Sequence, residues 1–152
     1  MIKFFRRVFL PVVFVFLAAT AFGLTASDIE MLLDLEKMTC AQAAYYVLAL
    51  ALENPPANGE AAFAYARERD WISAKAQSGG PVTMGYLSML VMKAFDFKGG
   101  LMYRITGSPR YAFREMTDRG FISGRTYPGF TVSGEQFLQI AGNVLTYIGG
   151  GQ

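Results

Sequence analysis

Gly120-Phe121-Ile122-Ser123-Gly124 repeats the pattern of Asp70-Trp71-Ile72-Ser73-Ala74 at an interval of 50 residues, and upstream Ala112-Phe113 repeats Ala62-Phe63 at the same interval. A pattern returning at a fixed period of this length marks a supersecondary unit used more than once. The other half of the unit is equally regular. Thr39, Thr83 and Ser133 each stand before a strongly apolar stretch, at intervals of 44 and 50 residues. A Ser or Thr placed there accepts a hydrogen bond from a backbone N–H of the first helical turn, so each reads as a helix N-cap. Each unit is then a helix, an aromatic-Ile turn, a loop and a hydroxyl-capped apolar helix.

Outward from these anchors the chain reads as helices separated by breakers. Ser27 with Glu30 has the spacing of a capping box, opening a short helix with Ile29, Leu32, Leu33 and Leu35 on one face and an end at Met38 or Thr39. Thr39 with Gln42 forms a second box before the apolar run Ala41 to Leu52, which at about 12 residues is too short to cross a bilayer and reads as a buried helix. Asn54-Pro55-Pro56-Ala57-Asn58-Gly59 breaks the chain before a helix from Glu60 to Asp70. Thr83 caps a helix from Met84 to Phe95, and Lys98-Gly99-Gly100 stops it. Leu101 to Thr106 reads as a short extended piece or a turn. Pro109 suits the first turn of a helix running to Arg119, with Gly120 as its C-terminal cap. Ser133 with Gln136 is a third box, before a last helix of Phe137, Leu138, Ile140, Ala141, Val144, Leu145 and Ile148. The expectation is an all-α, compact helical bundle of about three helix-loop-helix repeats with pseudo-threefold character. Its units fall at 28–52, 60–97 and 109–148 of a single domain spanning 24–148, and residues 149–152 form a flexible tail.

Ahead of this domain, Lys3, Arg6 and Arg7 precede an uncharged apolar run from Val8 to about Gly23. A basic start, an apolar middle and small residues at the end make the pattern of a secretory signal peptide. Ala21-Phe22-Gly23 places cleavage after Gly23, leaving about 129 residues, and the protein is expected in the periplasm or cell envelope. The alternative is an uncleaved anchor from Val8 to Ala26, the protein's only membrane segment, with the rest of the chain on the same far side. Loss of Lys3, Arg6 and Arg7 takes the formal charge from +2 to −1, so nucleic acid is not an implied partner.

The chemistry available is narrow. The chain has no histidine, which removes the commonest general base and metal ligand. Its single cysteine, Cys40, cannot form an internal disulfide and reads as a small buried hydrophobe. Asp28, Glu30, Asp34 and Glu36 read as a solvated acidic helix start, favoured by the helix dipole, rather than as a metal or glycosidase site. No phosphate-cradling loop is present, and neither a catalytic site, a metal nor a cofactor is expected.

Charge, however, is polarised. From Asp28 to Asp70 the balance is −5, and from Lys98 to Arg125 it is +4. The basic stretch is interleaved with Tyr103, Tyr111, Phe113, Phe121 and Tyr127. Arginine offers planar donors to carboxylate or phosphate, and aromatic faces stack on sugar rings or on arginine itself. Arg104, Arg110, Tyr111, Arg114 and Arg125 are therefore the candidate ligand-binding residues, with Arg110 and Arg114 four apart on one helix face. The competing reading buries Phe113 and Phe121 in the core, as Phe63 and Trp71 imply, and pairs the arginines with the acidic first half.

The repeated unit resembles that of the S-layer homology family, whose repeats are a helix ending in a Gly-Ile-Ile-x-Gly-like turn, a loop and a helix opening on an Ile-Thr-Arg-Ala-Glu-like motif. The residues that carry the resemblance are Phe121-Ile122-Ser123-Gly124, Pro81-Val82-Thr83 with the helix to Phe95, and Thr131-Val132-Ser133 with the helix to Leu145. It covers residues 28 to 148 and implies three repeats bundled about a pseudo-threefold axis that bind cell-wall polysaccharide. The family's glycan-contacting arginine after the Thr is replaced by Cys40, Met84 and Gly134, so the resemblance supplies no ligand at that place. Two functions follow as expectations: an exported, non-catalytic cell-envelope module holding wall glycan or peptidoglycan on its basic-aromatic segment, or a periplasmic structural or adaptor protein docked on another envelope protein.

Overall fold

The computed structural model describes residues 24–151, so the expected signal peptide at 1–23 lies outside the described residues. The described chain is all-α: α1 (Ala26–Leu33), α2 (Cys40–Ala51), α3 (Gly59–Glu68), α4 (Met84–Ala94), α5 (Leu101–Thr106), α6 (Pro109–Asp118) and α7 (Gly134–Gly150). Main-chain caps explain most of these boundaries. Thr39 and Ser133 accept from the amides of Gln42 and Gln136, whose side chains reach back to the cap residues' own N–H groups. Thr83 accepts from Tyr86. Each satisfies a backbone donor that the helix cannot, worth about 1 kcal/mol apiece.

Three helices end in the same way. Trp71, Phe97 and Phe121 donate to the carbonyls of Ala66, Met92 and Met116, all at 2.9 Å, while Asp70, Asp96 and Gly120 donate to Arg67, Lys93 and Thr117. This double closure needs a left-handed residue at the first position past the cap. Asp70 (φ 57°), Asp96 (φ 52°) and Gly120 (φ 77°) supply it. The repeated Asp70-Trp71-Ile72 and Gly120-Phe121-Ile122 segments are thus two copies of one helix stop, each sending an Ile inward: Ile72 and Ile122 are both 4% exposed.

The loops before the apolar helices meet at the centre of the molecule. Met38 N–H donates to Val132 O (2.8 Å), Val132 N–H to Val82 O (3.3 Å) and Val82 N–H to Met38 O (3.0 Å), a closed ring of three backbone hydrogen bonds. All three residues are buried. Just outside the ring, Cys40, Met84 and Gly134, the first residues of α2, α4 and α7, donate to Gly80, Phe130 and Leu35, each at 2.8 Å. Segments far apart in sequence therefore satisfy one another's backbone in a dry interior, where an unpaired amide would cost about 1–3 kcal/mol. Around this junction pack Leu48, Leu87, Leu90, Met92, Met116 and Phe137, the large side chains of one continuous core. Cys40 belongs to it. Burial pushes its thiol above the ordinary value, and the charge of Arg67 offsets this only in part, so it stays protonated at neutral pH.

Four expectations need correction. The first helix is capped by Thr25 with Asp28, not Ser27 with Glu30, and it stops at Leu33. Lys98-Gly99-Gly100 does not stop the fourth helix, which has already closed at Asp96. Leu101–Thr106 is neither extended nor a turn but a helix, α5. Gly100 N–H donates to the Glu115 carboxylate of α6 at 2.7 Å, and left-handed Gly107 closes the other end onto Tyr103 O. A tertiary carboxylate thus stands in for the absent local cap. Finally, the last helix runs through Gly150, so the predicted tail at 149–152 is helical for two of its residues.

Candidate functional site

Arg110, Tyr111 and Arg114 project from the first half of α6, which Pro109 at N1 and the Ser108 cap start at a fixed place. Arg125 stands on the loop that follows α6, and Arg104 on α5. All four arginines are exposed, and Tyr111 is half-buried. The expected pairing with the acidic first half does not occur: among the described residues the one ion pair is Arg119–Glu115, at 4.0 Å and within a single helix. Other cations lie over rings, with Arg67 above Phe63 (4.5 Å), Arg69 above Tyr65 (3.4 Å) and Arg119 above Phe97 (5.4 Å). The competing reading holds for the aromatics in part, since Phe121 is buried and Phe113 half-buried.

A glycine at the start of α4 is met by both segments that carry two of the candidate arginines, the first turn of α6 and the loop 123–130. Gly85, in the first turn of α4, donates its N–H to Pro128 O at 2.8 Å. A Cβ at Gly85 would lie 3.2 Å from Pro109 Cβ and 3.3 Å from Pro128 Cβ, so the missing side chain lets the start of α6 and the loop 123–130 both sit tightly against the start of α4. Arg110 follows Pro109 directly, and Tyr127 precedes Pro128. On the same loop Tyr127 and Phe130 form an edge-to-face pair, ring centroids 5.1 Å apart, that remains 65% and 52% exposed. Aromatic pairs are ordinarily bought with burial; this one faces water. Next to Tyr127 in the chain, Thr126 Oγ1 is buried without a hydrogen-bond partner among the described residues.

The candidate site is therefore the exposed aromatic pair on the loop that carries Arg125, together with the first turn of α6, which carries Arg110 and Tyr111 and meets the same glycine. Arg114 continues the α6 face one turn on. Arg104 belongs to α5, where its neighbours are the exposed Leu101 and Ile105. Sequence reasoning named Tyr127 only as part of the aromatic interleaving and passed over Phe130, for which the turn segment Tyr127-Pro128-Gly129-Phe130 was the available signal.

The arrangement offers two exposed aromatic faces and guanidinium donors. Among the described residues no group of three Asp, Glu or Cys side chains is placed to ligate an ion, and no helix is long and apolar enough to cross a membrane. What it can do is stack on a flat apolar face and donate hydrogen bonds to an anion. No protein-family description, curated protein or solved structure matches the chain.

Proposed function

We propose that this chain is an exported, non-catalytic cell-envelope module that holds an anionic wall glycan, of the peptidoglycan kind, on the surface made by Tyr127, Phe130, Arg125, Arg110 and Tyr111. The observation that carries the reading is the solvent-facing Tyr127–Phe130 pair on the loop of Arg125, which, like Arg110, has no ion-pair partner among the described residues. Sugar rings present an apolar C–H face that stacks on such rings, and the carboxylates of wall glycan suit the guanidinium fork. The ring of hydrogen bonds through Met38, Val82 and Val132 supports the companion proposal that three units of the S-layer homology kind are grouped about a pseudo-threefold axis.

Co-sedimentation with purified sacculi tests the function. The domain from residue 24 onward is expected to pellet with them, and Arg110→Ala with Arg125→Ala is expected to weaken binding by about tenfold or more, since two hydrogen bonds to a charged group are removed. Retention should also fall as salt rises. A domain that stays in the supernatant at low salt sinks the proposal, and unchanged binding by the double variant sinks the role of the arginines.

A further inference from the structure

Helix α5 is turned inside out. Its buried residue is Tyr103, which lies under the Lys93 ammonium of α4 at 5.6 Å. At 100° per residue, Leu101, Ile105 and Met102 fall within an arc of about 100° on the far side of the helix. They are 69%, 69% and 46% exposed. An amphipathic helix ordinarily hides this stripe, and here it faces water while the polar flank is cationic. Arg104 borders the stripe, Lys98 stands just before the helix, and α6, onto which α5 folds back, adds exposed Arg110 and Arg114. The carboxylate closest to hand, Glu115, is already engaged with the Gly100 amide and Arg119.

We propose that the outward face of α5 is a membrane-contact surface, with Leu101, Met102 and Ile105 entering the headgroup region of an anionic bilayer and Lys98 and Arg104 pairing with lipid phosphates. Apolar side chains flanked by bases are the arrangement that interfacial helices use. Each base near an anionic surface adds about fivefold in affinity. A second copy of the chain fits less well, because three side chains fall far short of the roughly 800 Å² per partner that a stable protein interface buries. The proposed contact uses none of Tyr127, Phe130, Arg125 and Tyr111 and does not rest on glycan binding.

The test is a depth measurement on the full chain, carrying Cys40→Ala so that Ile105→Cys bears the only nitroxide. In vesicles rich in anionic phospholipid the label is expected to be relaxed by oxygen and shielded from a water-soluble nickel chelate, whereas in zwitterionic vesicles it stays in water. A label placed instead by Ala74→Cys, at an exposed position just past the Asp70-Trp71 helix stop, should stay in water in both. Adding Lys98→Glu and Arg104→Glu, both at exposed positions, is expected to return the Ile105 label to water while the circular dichroism spectrum is kept. The proposal is overturned if the Ile105 label is equally wet in both vesicles, equally shielded in both, shielded without vesicles, or still shielded after charge reversal.

Discussion

Gly134→Ala is expected to destabilise the domain by about 3–4 kcal/mol, and Gly134→Val to prevent folding. A Cβ at this position would stand 1.8 Å from Leu32 O, 2.6 Å from Leu32 C and 3.0 Å from Leu32 Cα. These are backbone atoms of α1 and cannot swing aside. Relief requires α1 to move by about an ångström, which breaks the 2.8 Å bond from Gly134 N–H to Leu35 O and loosens Ile29 and Leu32 from the core. Against a total stability of about 5–15 kcal/mol, that loss leaves little in reserve. Urea unfolding followed by circular dichroism should show the midpoint fall for Gly134→Ala. Gly142→Ala, in the exposed interior of the same helix with nothing within 4 Å, should instead stabilise by up to about 1 kcal/mol. Equal midpoints for wild type and Gly134→Ala would mean that α1 does not close over the start of α7.

Met38→Ala is expected to cost about 3 kcal/mol, within the range for emptying a fully buried methionine site. Met38 is 0% exposed and its backbone takes part in two bonds of the central ring, one as donor and one as acceptor. The truncation leaves the ring's amides in place but opens a cavity where three segments meet, and no single helix can slide to fill it. Met102→Ala provides the contrast. Its side chain lies 46% exposed on α5, and its removal should change stability by less than about 0.5 kcal/mol. Comparable losses at the two positions would refute a junction centred on Met38.

What the sequence disclosed follows from how local each signal is. The boxes at Thr39 and Ser133, the Pro109 start and the Gly120 stop depend on residues within one turn, and all four are found where the sequence puts them. The Ser27 box was misplaced because Thr25 and Asp28 offer an equivalent local pairing two residues earlier. Helix α5 escaped because its cap is Glu115, fifteen residues away, and its one buried residue, Tyr103, lies under Lys93 of α4. Gly134 stood out only as a departure from a family pattern, while its reason, the Leu32 carbonyl, lies about a hundred residues upstream.

The candidate site was legible as a composition and not as a place. Arginines interleaved with aromatics were visible in the sequence, but nothing local separates Phe121, which enters the core, from Phe130, which does not. Nor does sequence show whether Arg110 and Arg125 find acids. That depends on tertiary placement: both residues are exposed, on segments that meet at Gly85 and are distant in sequence from the acidic first half.

The measurement that bears most directly on the proposed function is sedimentation of the domain with purified sacculi, comparing wild type with Tyr127→Ala and Phe130→Ala together. Both rings are more than half exposed, so the variant should keep the wild-type stability within about 0.5 kcal/mol. Loss of stacking, at about 1 kcal/mol or more per ring, predicts binding weakened at least tenfold. Wild-type binding by a folded Tyr127→Ala/Phe130→Ala variant would contradict it.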